Sequence, residues 1–284
     1  MLEFEFMRRT LLAGAALAIA LPLIGIVMVN RRTSMVGDAL SHVSLAGVAA
    51  GLIVGIDPII GAVVSCVVAA LLIEEVRAKM PQLGDMAVAV TMSAGLGLAV
   101  ILADLAPGGN SFESYLFGSI SAVTTADLLA SVSASALVII VSAICYGSLM
   151  NIAVDTALAR IAGVRIRAVN AVFTVLTALV VGLACKVVGA LLVVSLIVLP
   201  VACALVFCRS YKACCIAAPV LGLIYTMAGL TFSYHLDVRP GGSIVMAAVL
   251  GILIAWILRA IRGRASQAAP QAEREPVSQA ERTA

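Results

Sequence analysis

Asp38 and His42 are the side chains in this sequence whose types and spacing are best suited to binding an ion. They lie four residues apart, which places them on one face of a helix. A carboxylate oxygen and an imidazole nitrogen form a mixed ligand set that suits Mn, Fe or Zn better than an alkali metal. The alternative is that Asp38 caps a helix and His42 hydrogen-bonds to it.

Three further polar residues lie beside apolar runs. A charged side chain at the bilayer centre costs about 2.5 to 3.5 kcal/mol, so polar residues close to a span need an explanation. Lys186 stands between two such runs, where it either extends to the outer interface or serves as a gate or counter-ion. His235 and Asp237 lie in the short segment before the last run. They belong either to a solvated loop or to a surface for metal entry or docking.

The elements that must position these residues are membrane-spanning helices. Hydrophobic residues make up 63% of the chain and charged residues 12%, and the mean hydropathy is +1.16, far outside the usual range of soluble proteins. Within the apolar runs, apolar and polar residues do not alternate, and this favours helices over barrel strands. The sequence predicts an all-α, polytopic protein with about nine (eight to nine) transmembrane helices. The runs lie near 11–29, 39–56, 59–73, 86–104, 128–149, 168–184, 187–207, 213–233 and 243–258.

Basic residues predict the orientation of these helices. They cluster in alternate connections, which are therefore expected to be cytoplasmic. The clusters are Arg31 with Arg32, Arg77 with Lys79, Arg160 with Arg165 and Arg167, Arg209 with Lys212, and Arg259 with Arg262 and Arg264. An outer N-terminus and an inner C-terminus result, but Arg8 and Arg9 break the pattern. An arrangement of eight spans, with a re-entrant or interfacial first segment, therefore stays open.

The chain divides by composition into residues 1–262, a membrane domain, and residues 263–284. The second part is rich in Ala, Gln, Glu, Arg and Pro, so it is predicted to be a disordered cytoplasmic tail. The chain has no G-x-x-x-x-G-K-[ST] phosphate loop. We therefore expect a non-catalytic membrane subunit, with any ATP hydrolysis performed by a separate protein.

One cytoplasmic connection has its own helical pattern. Residues 154–164 have helical propensity and include Asp155 and Ala159, and Gly163 stands where a helix commonly ends. A short surface helix is predicted here, and it could lie across a partner protein.

Several stretches together resemble the membrane permeases of zinc and manganese ABC importers, the ABC-3 type of metal permease. The resemblance covers about residues 11–262. The most specific stretch is R-R-x-S-x-x-G-D-A-L-S-H, residues 31–42. The others are Y-L-F-G-S-I (115–120), residues 155–164, K-V-V-G-A-L-L-V-V-S-L-I-V-L-P (186–200) and G-L-T-F-S, which leads towards Asp237 and Gly241. One departure is visible, since the family's last motif reads D-x-P and here Pro240 stands one residue later.

The resemblance implies a function and a set of partners. Asp38 and His42 would be metal ligands in the translocation pathway, and Asp155, Ala159 and Gly163 would belong to the helix that couples to an ABC ATPase subunit. The cargo would be Mn, Zn or Fe, with no permanently bound cofactor. The other partners would be an extracytoplasmic metal-binding protein, a second copy or a paralogous permease, and the lipid of a bacterial cytoplasmic membrane, with no nucleic acid.

Two other function classes remain as alternatives. A proton-coupled secondary metal transporter would use Asp38 and His42 as a proton relay. An intramembrane metalloprotease has less support, because the chain lacks H-E-x-x-H and has two histidines in total.

Overall fold

The computed structural model describes residues 5–268 except 107–108, 120–122, 155 and 209, and this part of the chain is helical without any strand. Its α-helices are α1 (Glu5–Asn30), α2 (Met35–Val54), α3 (Pro58–Lys79), α4 (Gly84–Leu105), α5 (Gly109–Phe117), α6 (Thr125–Ile144), α7 (Tyr146–Val154), α8 (Thr156–Ile161), α9 (Ile166–Val187), α10 (Ala190–Phe207), α11 (Tyr211–Leu236) and α12 (Pro240–Ala268).

The predicted all-α membrane architecture is confirmed. In the described residues, eight helices are long and apolar enough to cross a membrane. These are α1, α2, α3, α4, α6, α9, α11 and α12. Helix α10 has 18 residues, with a shorter apolar stretch over Leu192–Phe207. Each of the nine predicted runs therefore coincides with a long helix, and α5, α7 and α8 are short connecting helices.

Helix α1 lies inside the bundle, where it packs against α6, α9, α10 and α11. Met7, Leu17 and Leu21 are fully buried, because apolar residues on most sides of the helix can all be covered by neighbours. The first segment is one continuous helix of 26 residues. A re-entrant or interfacial first segment does not describe it.

The peripheral helices have the opposite character. Large apolar side chains on α3, α4 and α12 remain exposed, among them Leu72, Leu98 and Trp256. Water would disfavour such a surface, whereas hydrocarbon accommodates it. The outer faces of these helices are therefore suited to lipid.

Helices α2 and α3 meet through glycine. A Cβ atom on Gly47 would lie 2.4 Å from the Gly61 carbonyl oxygen, and one on Gly61 would lie 2.3 Å from the Gly47 oxygen. Only glycine permits this backbone contact, which is typical of close helix packing in membranes. It fixes the rotation of α2, and therefore the face on which Asp38 and His42 lie.

The predicted boundary of the C-terminal tail needs one correction. Helix α12 continues to Ala268, so residues 263–268, assigned from composition to the disordered tail, extend the last helix. Local helical propensity in Arg-Ala-Ser-Gln-Ala prolongs a helix already formed by the apolar run. The remainder of the predicted tail lies outside the described residues.

Candidate functional site

Asp38 and His42 both lie near the start of α2. The helix begins at Met35 and its N-cap is Ser34, so Asp38 lies within the first turn. The alternative in which Asp38 caps α2 is therefore wrong. Gly37 lies against Ile197 of α10, where an added Cβ would be 3.3 Å from the Ile197 side chain. This contact turns the neighbouring Asp38 away from α10.

The distance between the two side chains suits a shared ion better than a direct hydrogen bond. His42 Nε2 lies 3.8 Å from Asp38 Oδ1, beyond ordinary hydrogen-bond range. Metal–nitrogen and metal–oxygen bonds of about 2.1 Å span up to about 4.2 Å between the two ligand atoms. His42 Nδ1 is buried and has no hydrogen-bond partner among the described residues. The pair can hold one ion without a large movement.

The face of α2 that carries the pair is partly open. The exposed fraction is 37% for the Asp38 side chain and 17% for the His42 side chain, and Met35 on the same face is largely exposed. Leu40 and Ser44 on the opposite face are buried. Over the described ranges, no group of three or more His, Cys, Asp or Glu residues is placed to hold a metal. The described part of one chain therefore brings two candidate ligands together at this face.

Lys186 is held by an acidic residue that the sequence analysis did not single out. Its Nζ donates to Asp127 Oδ2 at 2.6 Å, and the two side chains are 15% and 9% exposed. A side chain extended to the interface does not describe this geometry. Lys186 instead neutralises a buried carboxylate, as a buried charge requires.

Asp127 also completes the start of α6. Its Oδ2 atom accepts hydrogen bonds from the Thr124 backbone N–H at 2.8 Å and from Thr124 Oγ1 at 2.7 Å. The Asp127 backbone N–H donates to Thr124 Oγ1 at 3.3 Å, forming a capping box. The T-x-x-D spacing is the sequence signal that could have identified Asp127.

His235 and Asp237 lie at the other end of the bundle from Asp38. We call this the outer end, following the orientation predicted by the basic residues, and the end that carries the arginines the inner end. Both residues are exposed. The His235 ring makes an edge contact with Tyr234 at 5.6 Å, and Asp237 ends α11 in the left-handed conformation, with φ of 52°. The structure does not bring either residue to the Asp38–His42 pair.

A second ion pair joins elements at the outer end. Arg239 Nη2 donates to Glu113 Oε2 at 2.8 Å, and the Arg239 guanidinium lies 4.5 Å from the centre of the Phe117 ring. Arg239 and Glu113 border a cavity of about 470 Å³ that Asp237 also lines. Glu113 and Arg239 are 126 positions apart, so no local pattern could have predicted their contact.

A short helix is present where the sequence predicts one, and it is α8 (Thr156–Ile161). Gly163 follows it with φ of 77°. The Gly163 N–H donates to the Arg160 oxygen and the Val164 N–H donates to the Ala159 oxygen, each at 3.1 Å. This pair of bonds is a Schellman motif. Ala159 is fully buried, and Asp155 lies outside the described residues.

Beside α8 the inner end contains the larger of these cavities, with a volume of about 1050 Å³. Arginines from separate parts of the chain line it, and Glu74 is the one acidic residue among the described lining residues. Burial lowers the pKa of the Arg31 guanidinium, the Glu74 carboxylate opposes that change, and Arg77 adds to it. In the sequence these arginines mark the orientation of the helices, and no local pattern predicts that they converge on one cavity.

Comparison with known proteins gives consistent results over nearly the whole chain. A profile described as the ABC 3 transport family matches residues 3–259. A Treponema pallidum (strain Nichols) protein named "Probable metal transport system membrane protein" is 34% identical over 265 residues, 93% of this chain and 99% of that protein. The manganese import system permease protein ScaB of Streptococcus parasanguinis is 30% identical, over 90% of this chain and 91% of its own. The solved structure of PsaBC from Streptococcus pneumoniae in complex with Fab superposes with a TM-score of 0.80 at 30% identity, covering 89% of this chain and 91% of that chain.

Proposed function

The chain belongs to the ABC 3 transport family, and from that premise we propose that it is the membrane permease subunit of an ATP-driven importer for a divalent transition metal. Two relatives carry names that refer to metal transport or manganese import. The proposal makes this chain a non-catalytic subunit of a bacterial cytoplasmic membrane. Family membership favours it over the proton-coupled alternative.

The observation that carries the proposal is the placement of Asp38 and His42. Their candidate ligand atoms, Asp38 Oδ1 and His42 Nε2, are 3.8 Å apart on a partly open helix face. A carboxylate and an imidazole accept Mn, Fe or Zn, and the manganese relatives favour Mn. The metal is cargo in this proposal and not a resident cofactor.

A second copy of the chain would complete the site. Two-fold assemblies are the commonest oligomers, and a two-fold axis beside the Asp38–His42 face of α2 would place two carboxylates and two imidazoles around one ion. A paralogous permease with the same residues would serve equally. A pathway site must also release its ion, so a small ligand set at a partly open face is better suited than a closed structural cage.

Coupling to ATP would pass through α8. We assign α8, with Asp155 and Gly163 beside its two ends, to the surface that contacts a separate ABC ATPase subunit, because α8 is a short helix with a fixed end at the inner face. Ala159, which is buried, would hold α8 against the rest of the chain. At the outer end, Lys186 would act as a gate residue through its pair with Asp127. The exposed His235 and Asp237 would face an extracytoplasmic metal-binding protein.

The test is radioactive manganese uptake by the assembled transporter in proteoliposomes, normalised to folded complex. Asp38→Asn removes the charge and keeps the shape, and His42→Ala removes the nitrogen ligand. Each should reduce uptake at least about tenfold, which corresponds to a loss of about 1.4 kcal/mol in the free energy of ion binding. Basal ATP hydrolysis should stay intact.

Asp85→Asn is the matched control, because Asp85 is a fully exposed carboxylate at a different position. It should transport at the unmodified rate. Near-normal uptake by the Asp38→Asn, His42→Ala double variant would exclude the proposed ion site.

A further inference from the structure

The large inner cavity is a concave surface built from four separate parts of the chain. Its arginines come from the α1–α2 turn, the end of α3, α8 and the start of α9. They are Arg31, Arg32, Arg77, Arg160, Arg165 and Arg167. We call this the arginine cavity. The positive-inside rule requires only that basic residues lie near the inner membrane surface. It does not explain why residues so distant in sequence converge on one cavity.

The positive charge of the arginine cavity is poorly compensated. In the described part of the chain, Arg32, Arg160 and Arg165 form no ion pair within 4.0 Å. Arg77 reaches Asp85 only at 4.0 Å. Glu74 is the one acidic group among the described lining residues, and its carboxylate also accepts a hydrogen bond from the Thr174 hydroxyl at 3.5 Å. Such a concentration of like charge attracts anions and disfavours a divalent cation, so this cavity is better suited to an anion than to the metal.

The start of α9 adds a second feature that favours an anion. Helix α9 has 22 residues, and its N-cap Arg165 makes no side-chain capping bond. Arg165, Ile166 and Arg167 all line the cavity. The N-terminal amides and the dipole of a long helix favour a negative group, and arginine side chains offer paired donors that match phosphate oxygens.

The surroundings indicate where such an anion comes from. Helix α3 contributes Arg77 to the cavity, and Leu71 and Leu72 one to two turns earlier are exposed. Because these leucines are six and five residues before Arg77, they lie on other sides of α3. The acyl chains of a lipid whose headgroup enters the cavity would therefore pass around α3 to reach this apolar surface. Basic pockets between helices at the cytoplasmic face characteristically take anionic lipid headgroups.

We propose that the arginine cavity binds a phosphate group, supplied by the headgroup of an anionic phospholipid. The bound phosphate would bridge the α8–α9 segment and the α1–α2 turn, which leads directly into the helix of Asp38 and His42. Lipid occupancy would then connect the segment assigned to ATPase coupling with the segment assigned to the ion.

The experiment titrates the full-length protein in detergent with phosphatidylglycerol and with phosphatidylcholine of the same acyl chains, and counts bound lipid by native mass spectrometry. The cavity variant is Arg32→Gln with Arg165→Gln, since both side chains are exposed and neither forms an ion pair with another described residue. The control variant is Lys212→Gln with Arg259→Gln, which removes the same charge from exposed inner-end residues outside the cavity. A third arm measures the shift of the melting temperature caused by inorganic phosphate.

The unmodified protein should retain phosphatidylglycerol in preference to phosphatidylcholine. The cavity variant should bind phosphatidylglycerol about 30-fold more weakly, and the control variant should remain within about twofold of the unmodified protein. A different result is that inorganic phosphate raises the melting temperature, the cavity variant abolishes that rise, and the unmodified protein shows no lipid preference. That result would support the phosphate site and identify soluble phosphate, not a lipid headgroup, as its ligand.

Equal lipid binding by the two variants, with no change of melting temperature on adding phosphate, would overturn the proposal. The arginines would then serve only to orient the protein in the membrane. Loss of ATPase association in the cavity variant, with neither probe bound by the unmodified protein, would also overturn it. That outcome would assign the cavity to an acidic protein surface. Equal melting temperatures of the two variants without ligand establish that both are folded.

Discussion

The two ends of the helical bundle differ in how far their charged side chains are paired. At the outer end Lys186 pairs with Asp127 and Arg239 pairs with Glu113. At the inner end the arginine cavity holds several guanidinium groups with one acidic lining residue in the described structure. The pairs at the outer end join α5, α6, α9 and the α11–α12 turn internally. The inner end also has an exposed pair, Lys79 with Glu75, but most arginines of the cavity have no close acidic partner among the described residues.

This difference separates two uses of charge in a membrane protein. A buried pair satisfies itself and stabilises one arrangement of helices, because separating the partners leaves an uncompensated charge. Unpaired charge contributes little to the fold and instead selects what binds. The outer end is therefore expected to respond to substitution through stability, and the inner end through binding and coupling.

The largest effect should come from breaking the buried outer pair. Lys186→Met leaves Asp127 buried without its cation, which typically costs about 3 to 5 kcal/mol. Unfolding in SDS would measure it. A Lys186→Met, Asp127→Leu double variant removes both charges and should lose less than the single variant. A loss below about 1 kcal/mol in the single variant would mean that the pair does not hold the outer end together.

Substitution of Gly163 should change the stability of the bundle less than loss of the buried pair does, but it should strongly weaken coupling to the ATPase. Its φ of 77° is costly for a branched residue, by about 1 to 2 kcal/mol, although no atom obstructs a Cβ there. Gly163→Val should therefore weaken ATPase association and metal uptake while the bundle stays folded. Co-purification and proteoliposome uptake would test this.

Gly163→Asn provides the matched control, because asparagine tolerates the left-handed conformation. It should retain most of the uptake that Gly163→Val loses. Normal uptake by Gly163→Val would remove the end of α8 from the coupling mechanism.

The exposed outer pair should matter less than the buried one. Arg239 and Glu113 are 56% and 59% exposed, so solvent screens their attraction. Glu113→Gln should cost about 0.2 to 1 kcal/mol. Arg239→Gln also loses the contact over Phe117, worth about 0.5 to 1 kcal/mol at an exposed site. A double-mutant cycle in SDS unfolding would measure the coupling, and a coupling as large as that of Lys186 with Asp127 would contradict this ranking.

The smallest effect on stability is expected at the inner end. Arg165→Gln makes the same chemical change as Arg239→Gln, but Arg165 has no ion-pair partner among the residues that the structure describes. The free energy of unfolding should change by no more than about 0.5 kcal/mol, measured in detergent without added lipid or phosphate. A loss as large as that of Arg239→Gln would show that the inner charges also stabilise the fold.

Much of the fold followed from local features of the sequence. The nine apolar runs gave the long helices, because hydropathy over about 20 residues is a strong signal. The end of α8 followed from Gly163, and the common face of Asp38 and His42 followed from their spacing. The continuation of α12 to Ala268 was missed because composition alone does not mark where an established helix stops.

What the sequence determined by itself is therefore the membrane class, the helix positions, the shared face of Asp38 and His42, and the Gly163 helix end. The tertiary structure alone decided which charges meet. Asp127 and Lys186 are 59 positions apart, and the arginine cavity draws on four separate segments. The physical reason is that periodicity and capping act within a few residues, whereas apolar helices resemble one another and their neighbours are set by packing. Pairing and convergence of charge appear only once that packing is known.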